Sequence, residues 1–143
     1  MRKKISPEKS FEMEFAFWAK ISRMLYLKIP DPIMTQDKLN SMKRRGQSDE
    51  FQRPCDGILI TKKGNYLIEC KYNYNKLLPH QEYYQGKVNE INKSYYVIRK
   101  IKRKYETIYR IEYNNDIVYE TKKIEELLSF FEEVSNEQNK LNR

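Results

Sequence analysis

Asp56, Glu69 and Lys71 are the residues of this chain whose types and spacing best suit chemistry. Glu69 and Lys71 stand two apart in an apolar segment, Tyr66-Leu67-Ile68-Glu69-Cys70-Lys71-Tyr72. Side chains two apart on a strand share a face, so the acid and the base point the same way and Cys70 points the other. Asp56 opens the preceding segment, Gly57-Ile58-Leu59-Ile60-Thr61, and Lys62-Lys63-Gly64-Asn65 is a turn signal between the two. Together they read as a β-hairpin. A turn centred near Lys63-Gly64 sets Asp56 opposite Lys71, so the three groups meet at the hairpin's open end. Two carboxylates at close range repel, and a divalent cation resolves the repulsion. Mg2+, with Mn2+ as a substitute, takes hard oxygen ligands: Asp56, Glu69, phosphate oxygens and the backbone carbonyl of Cys70. Such an ion activates water and polarises a phosphodiester. Lys71 has three roles open to it: orienting the water, deprotonating it, or stabilising charge on phosphorus. The bland alternative is a surface hairpin with an ordinary Glu-x-Lys pair. Leu67, Ile68 and Cys70 around Glu69 count against that reading.

The elements that must position these groups follow from periodicity. Phe11, Phe15, Trp18, Ile21 and Leu25 recur at helical spacing, which predicts a helix over 10–28 with Ser10 as its N-cap. Pro30-Asp31-Pro32 ends it. Residues 36–55 read as a basic loop centred on Lys43-Arg44-Arg45-Gly46. After the hairpin, Pro79 suits the first turn of a helix to about Ile91, with Tyr84, Val88 and Ile91 inward. Strands are predicted over 95–99, 107–113 and 117–120, the last two joined by Asn114-Asn115-Asp116. Thr121 suits the cap of a final helix with the stripe Ile124, Leu127, Leu128, Phe131 and Val134. Residues 136–143 read as a frayed polar tail. The whole, 1–143, is one α/β domain with helices packed on a mixed sheet.

The formal net charge is +8, which favours an anionic partner, nucleic acid before membrane. No window has the length of a membrane span, and no apolar segment suits a signal peptide. Cys55 and Cys70 match no zinc spacing and read as reduced thiols, in keeping with an intracellular, cytoplasmic setting.

The run Arg53-Pro54-Cys55-Asp56-Gly57-Ile58-Leu59-Ile60, then Leu67-Ile68-Glu69-Cys70-Lys71, resembles the motif of the PD-(D/E)XK nuclease superfamily. Leu78-Pro79-His80-Gln81 extends the likeness toward its Holliday-junction-resolvase-like and VRR-type branches, and toward the recombination protein U family. The resemblance covers roughly 11–99, and Cys55 stands where the name-giving proline often does. It implies a restriction-endonuclease-like core, metal-dependent cleavage of DNA and a homodimer. It also implies a catalytic glutamine at Gln81, for which an ordinary first-turn polar residue is the alternative. A glutamate on the first helix completes the metal site in archaeal resolvases, which here means Glu12 or Glu14. Glu14 lies on the apolar stripe, and Glu12 projects roughly 160° away. Glu14 is therefore the expected ligand, with a first-turn glutamate favoured by the helix dipole as the alternative.

Phosphate contacts are expected from Lys43, Arg44, Arg45 and Arg53, and from Arg99, Lys100, Lys102, Arg103 and Lys104. Tyr72, Tyr74, Tyr83 and Tyr84 could stack on opened bases, but half-buried packing is the better reading. The expectation is a structure-specific DNA endonuclease, foremost a Holliday junction resolvase acting on branched DNA. A VRR-type nickase or flap nuclease, a restriction-type enzyme, and a basic DNA-binding module without catalysis are the alternatives.

Overall fold

The structure, a computed structural model, describes residues 4–30, 37, 40–41 and 52–134. Lys43, Arg44 and Arg45, and the expected tail at 136–143, lie outside the described residues. Helix α1 spans Pro7–Ile21. It starts earlier than the apolar stripe predicts because Ser6, not Ser10, is its N-cap. The Ser6 hydroxyl accepts the Lys9 N–H, and Pro7 occupies the first turn, where its missing N–H costs nothing.

The helix also ends early. Arg23 has φ 62, Met24 N–H donates to Ala19 C=O, and Arg23 N–H donates to Lys20 C=O. This is the left-handed C-terminal cap that glycine usually provides. Leu25–Lys28 then forms strand β1, which the expected helix over 10–28 had absorbed. In the segment read as a loop over 36–55, Asp37, Asn40 and Ser41 are helical.

Strands β2 (Gly57–Ile60) and β3 (Asn65–Tyr72) form the expected hairpin. Helix α2 (Pro79–Ile91) leads to β4 (Tyr95–Lys102), followed by β5 (Thr107–Tyr113), β6 (Asp116–Thr121) and α3 (Glu125–Glu133). Thr121 closes β6 and is not the helix cap; its hydroxyl instead bonds the Glu126 carboxylate and the Lys123 N–H. Asn114 and Asn115, at φ 49 and 69, make the tight turn between β5 and β6.

Among the described residues the six strands form one sheet in the order β1-β2-β3-β4-β5-β6. Neighbours are antiparallel except β3 and β4, whose parallel pairing is bridged by α2. The architecture is α/β with a mixed sheet flanked by helices. On one face α1 and α3 bring Phe11, Phe15, Ala19, Leu127 and Phe131 against Tyr66, Ile68, Cys70, Tyr96 and Ile98. Phe131 meets Tyr96 edge-to-face at a centroid distance of 5.4 Å. On the other face, α2 packs Tyr84 and Val88 over Leu67, Tyr95 and Val97.

The fully inward stripe of α2 is Gln81, Gln85 and Asn89, and Ile91 is 82% exposed. Tyr84 and Val88 pack inward as predicted, whereas Ile91 does not, and the most deeply buried stripe carries amides. Asn89 bridges the Tyr95 backbone to Asn114, and Gln85 bonds Asn115, which ties α2 to the β5–β6 turn. No described helix is long and apolar enough to cross a membrane.

Candidate metal centre

The hairpin register places the acids. Gly57 pairs with Ile68 and Ile60 with Asn65, so one step further sets Asp56 beside Glu69, not Lys71. The turn is centred on Lys62-Lys63 because the Thr61 hydroxyl accepts the N–H groups of Lys63 and Gly64. Moving the centre by one residue moves the partner by two, and a two-residue shift keeps every side chain on its face.

Asp56 is built into the ladder on both sides. Its N–H donates to Ile68 C=O and its C=O accepts the Ile29 N–H. Its Oδ2 accepts the Cys70 N–H at 2.7 Å, and its Oδ1 lies 3.0 Å from the Arg53 guanidinium.

Glu69 is the anomaly. It is 1% exposed, and neither carboxylate oxygen accepts a hydrogen bond from a protein donor; Asp56 stands within hydrogen-bonding reach, a contact that needs a proton on one of the two acids. Lys71 Nζ stands 3.7 Å from Oε2, an ion pair but too long for a hydrogen bond. Burial first, and the Asp56 charge second, push the Glu69 carboxyl up to about 9, against the pull of Lys71. Without a further cation the group is therefore held neutral near pH 7.

A third carboxylate completes the cluster. Oxygens of Glu8, Asp56 and Glu69 all lie within 4.8 Å of one another. Glu8 comes from the first turn of α1, is half-buried, and is itself held above the usual carboxylate range, by burial first and by Asp56 after it. Three clustered carboxylates, one with orphaned buried oxygens, are a donor set that fits a hard divalent cation. Lys71, 5% exposed, lies on the same strand face as Glu69.

Glu14 is not part of this cluster. It lies 2.7 Å from Lys100 Nζ with its side chain 38% exposed. Glu12, expected to project outward, is 6% exposed and accepts the Tyr26 hydroxyl at 2.6 Å and Lys28 at 3.2 Å. The true inward face of α1 runs Glu8, Phe11, Glu12, Phe15 and Ala19, and Ile21 is exposed. Of the predicted stripe, Phe11, Phe15 and Trp18 do pack inward, whereas Ile21 and Leu25 are exposed. Ser6-Pro7-Glu8 was the signal for Glu8: a capping residue, a first-turn proline, then an acid.

Gln81 is buried, and its Oε1 accepts the Leu78 N–H at 2.9 Å, capping α2. The first-turn reading thus accounts for its carbonyl.

Strand alternation separates Arg99 from Lys100 and Lys102, and Arg103 and Lys104 follow the end of β4. Arg99 is 7% exposed, pairs with Glu112 at 2.8 Å, and donates to the carbonyls of Asn73 and Asn75. It is a strut under the β3–α2 loop rather than a phosphate contact. Lys100 turns to the opposite face toward Glu14, and Arg103 pairs with Glu106. Lys102 and Lys104 are exposed. Tyr95 donates its hydroxyl to Pro54 C=O, bracing the segment before Asp56. Cys55 and Cys70 are buried thiols, Cys55 pushed up to about 12 by burial, and neither suits nucleophilic chemistry.

Comparison with protein-family models, with curated proteins and with solved structures finds no match.

Proposed function

We propose that this chain is a metal-dependent nuclease of the PD-(D/E)XK type, with a restriction-endonuclease-like core and DNA as substrate. The observation that carries the reading is Glu69: a buried carboxyl whose oxygens no protein donor reaches, crowded against the acids Asp56 and Glu8 and beside Lys71. A protein keeps so costly a group when something absent from the chain itself satisfies it. Glu8, Asp56 and Glu69 would hold Mg2+ or Mn2+, and the Cys70 carbonyl lies between Glu69 and Lys71 as a further donor. When bound, such an ion polarises the scissile phosphodiester and eases deprotonation of the attacking water.

The chain's own groups have separate tasks. Asp56, fixed by the Cys70 N–H, sets the geometry of the carboxylate pair. Lys71 brings a buried positive charge next to Glu69, where negative charge on a transferring phosphoryl group is stabilised most strongly. The net charge of +8 supplies sequence-independent attraction to a polyanion. The mixed sheet flanked by helices, and the acids at the open end of its hairpin, support the family reading.

Within that reading the substrate is branched DNA, foremost a four-way junction, cut by a homodimer. The test is a panel of junctions, flaps, single strands and plain duplex with Mg2+ or Mn2+. Paired symmetric cuts in the junction are expected, lost in Asp56→Asn, Glu69→Gln and Lys71→Ala while the fold persists by circular dichroism. Preferential cutting of flaps or duplex would reject the resolvase assignment. Tight DNA binding with no cleavage of any substrate would reject the nuclease.

A further inference from the structure

Beside the acid cluster lies a polar pocket lined by Glu8, Lys9, Glu12, Lys28, Arg53 and Asp56. Three carboxylates there face three cations. Lys28 and Glu12 form a fixed pair, since Glu12 is held from its other side by the Tyr26 hydroxyl. Arg53 is placed differently. Its Nη2 lies 3.0 Å from Asp56 Oδ1, and its Nη1 donates to Ile29 C=O at 3.0 Å. Asp56 Oδ2 accepts the Cys70 N–H. A cation on Oδ1 would share that oxygen with the guanidinium, and one on Oδ2 would sit across the same carboxylate from it.

A guanidinium and a divalent ion sharing one carboxylate repel each other, so the two compete. An ion at the cluster would also turn the pocket from electrically balanced to cationic. Arg53 would then be displaced into a space that attracts an anion, and its planar fork matches phosphate. The pocket is open to solvent on the side of Lys9 and Lys28, with the Lys28 side chain 49% exposed.

We propose that Arg53 exchanges partners: it is the counter-ion of Asp56 while no divalent cation is held, and a phosphodiester ligand of the adjoining pocket once one is. This rests on the metal-site reading above. Its consequence is that cation and DNA reinforce each other's binding through Arg53, because each relieves a cost the other would meet alone.

The experiment measures Mn2+ binding by calorimetry on the full chain without DNA, for wild type, Arg53→Gln, Arg53→Lys and Asp56→Asn. Arg53→Gln binds Mn2+ about tenfold more tightly than wild type, within the usual range of coupling between sites. Arg53→Lys keeps the charge but cannot reach both Asp56 and the Ile29 carbonyl, so its gain is smaller. A second reading follows a short labelled duplex with Ca2+ or with chelator. Ca2+ tightens duplex binding in wild type, and that gain disappears in Arg53→Gln. A purely structural arginine would raise neither the cation affinity nor the coupling. If Asp56→Asn abolishes Mn2+ binding but Arg53→Gln binds no more tightly than wild type, the exchange is overturned and the metal site stands. If neither wild type nor Arg53→Gln binds Mn2+, both fall. Should Arg53→Gln fail to fold, Arg53→Lys decides by the same criterion: tighter binding supports the exchange, and equal or weaker binding overturns it.

Discussion

The pH dependence of stability tests the carboxylate on which the metal site rests. In the folded chain Glu69 is pushed from its ordinary value of 4.5 up to about 9. Between those two values the folded state holds a proton that the unfolded state has released. Stability therefore falls as pH rises through that window. One such group costs about 1.4 kcal/mol per pH unit. From about pH 6 to about pH 8 the ion-free protein should lose on the order of 3 kcal/mol. For a domain of this size that is a fall of roughly 8 °C in melting temperature. Glu8, also raised, contributes in the same sense. Glu69→Gln cannot titrate, so its melting temperature should change much less over that range. Thermal melts followed by circular dichroism, with chelator present, give both profiles. Parallel profiles for wild type and Glu69→Gln would refute the argument that burial and Asp56 hold this proton. Saturating Mn2+ favours the ionised carboxylate, so the wild-type profile should flatten, and Asp56→Asn should remove that flattening.

Four further outcomes follow from the structure. Glu8→Gln should weaken Mn2+ binding by about tenfold or more, in keeping with loss of one ligand from a small cluster. Glu14→Gln should leave it unchanged and alter stability by less than about 1 kcal/mol, because it removes only a half-exposed pair with Lys100. Gly57→Ala should destabilise by about 1–3 kcal/mol in urea unfolding. Its added methyl would lie 2.4 Å from the Tyr26 ring and 2.7 Å from the Leu27 carbonyl, and the carbonyl is held by the strand. Arg99→Gln should cost about 1–3 kcal/mol, because Glu112 keeps only its longer contact with Arg110 at 3.9 Å, yet leave the salt dependence of DNA binding unchanged. A flatter salt slope in that variant would return Arg99 to the phosphate-binding surface.

Much of this site was legible before the fold was known, for reasons that can be named. Two-residue periodicity put Glu69 and Lys71 on one face, and that inference depends on parity alone. The partner of Asp56 depended on the turn centre, which the Thr61 hydroxyl sets and which the residue types alone left ambiguous. The error was two residues, so the face survived and the neighbour changed. Helix phase was less forgiving. Carrying the stripe on to Ile21 put Glu14 inward, whereas Glu12 and Ala19, alongside Phe11 and Phe15, mark the buried side. A small residue among larger apolar ones gives a weak signal, though a helix packed close on a sheet needs one there. The end of α1 was hidden because Arg23 takes the left-handed cap without being glycine. Within the basic run over 99–104, Arg99 is the residue drawn into the interior, because a strand sends alternate side chains to opposite faces, while Lys102, Arg103 and Lys104 stay exposed.

The location of the acids also explains why their cost can be tolerated. Asp56 and Glu69 lie where β2 and β3 pair, inside a sheet whose neighbouring strands fix both backbones. Neither carboxylate can relieve repulsion by moving its main chain. Glu8 has more freedom, since it stands in the first turn of a helix, and it is less buried than Glu69. A divided arrangement of this kind gives a cation two rigid ligands and one that can adjust. The opposing charges are divided in the same way: Lys71 is fixed on the strand beside Glu69, whereas Arg53 reaches Asp56 from the segment preceding β2. Rigid groups define where an ion would sit, and adjustable ones decide when. On the metal-site reading, the sheet would set the geometry of the centre, and the helix start and the Arg53 segment would set when it fills.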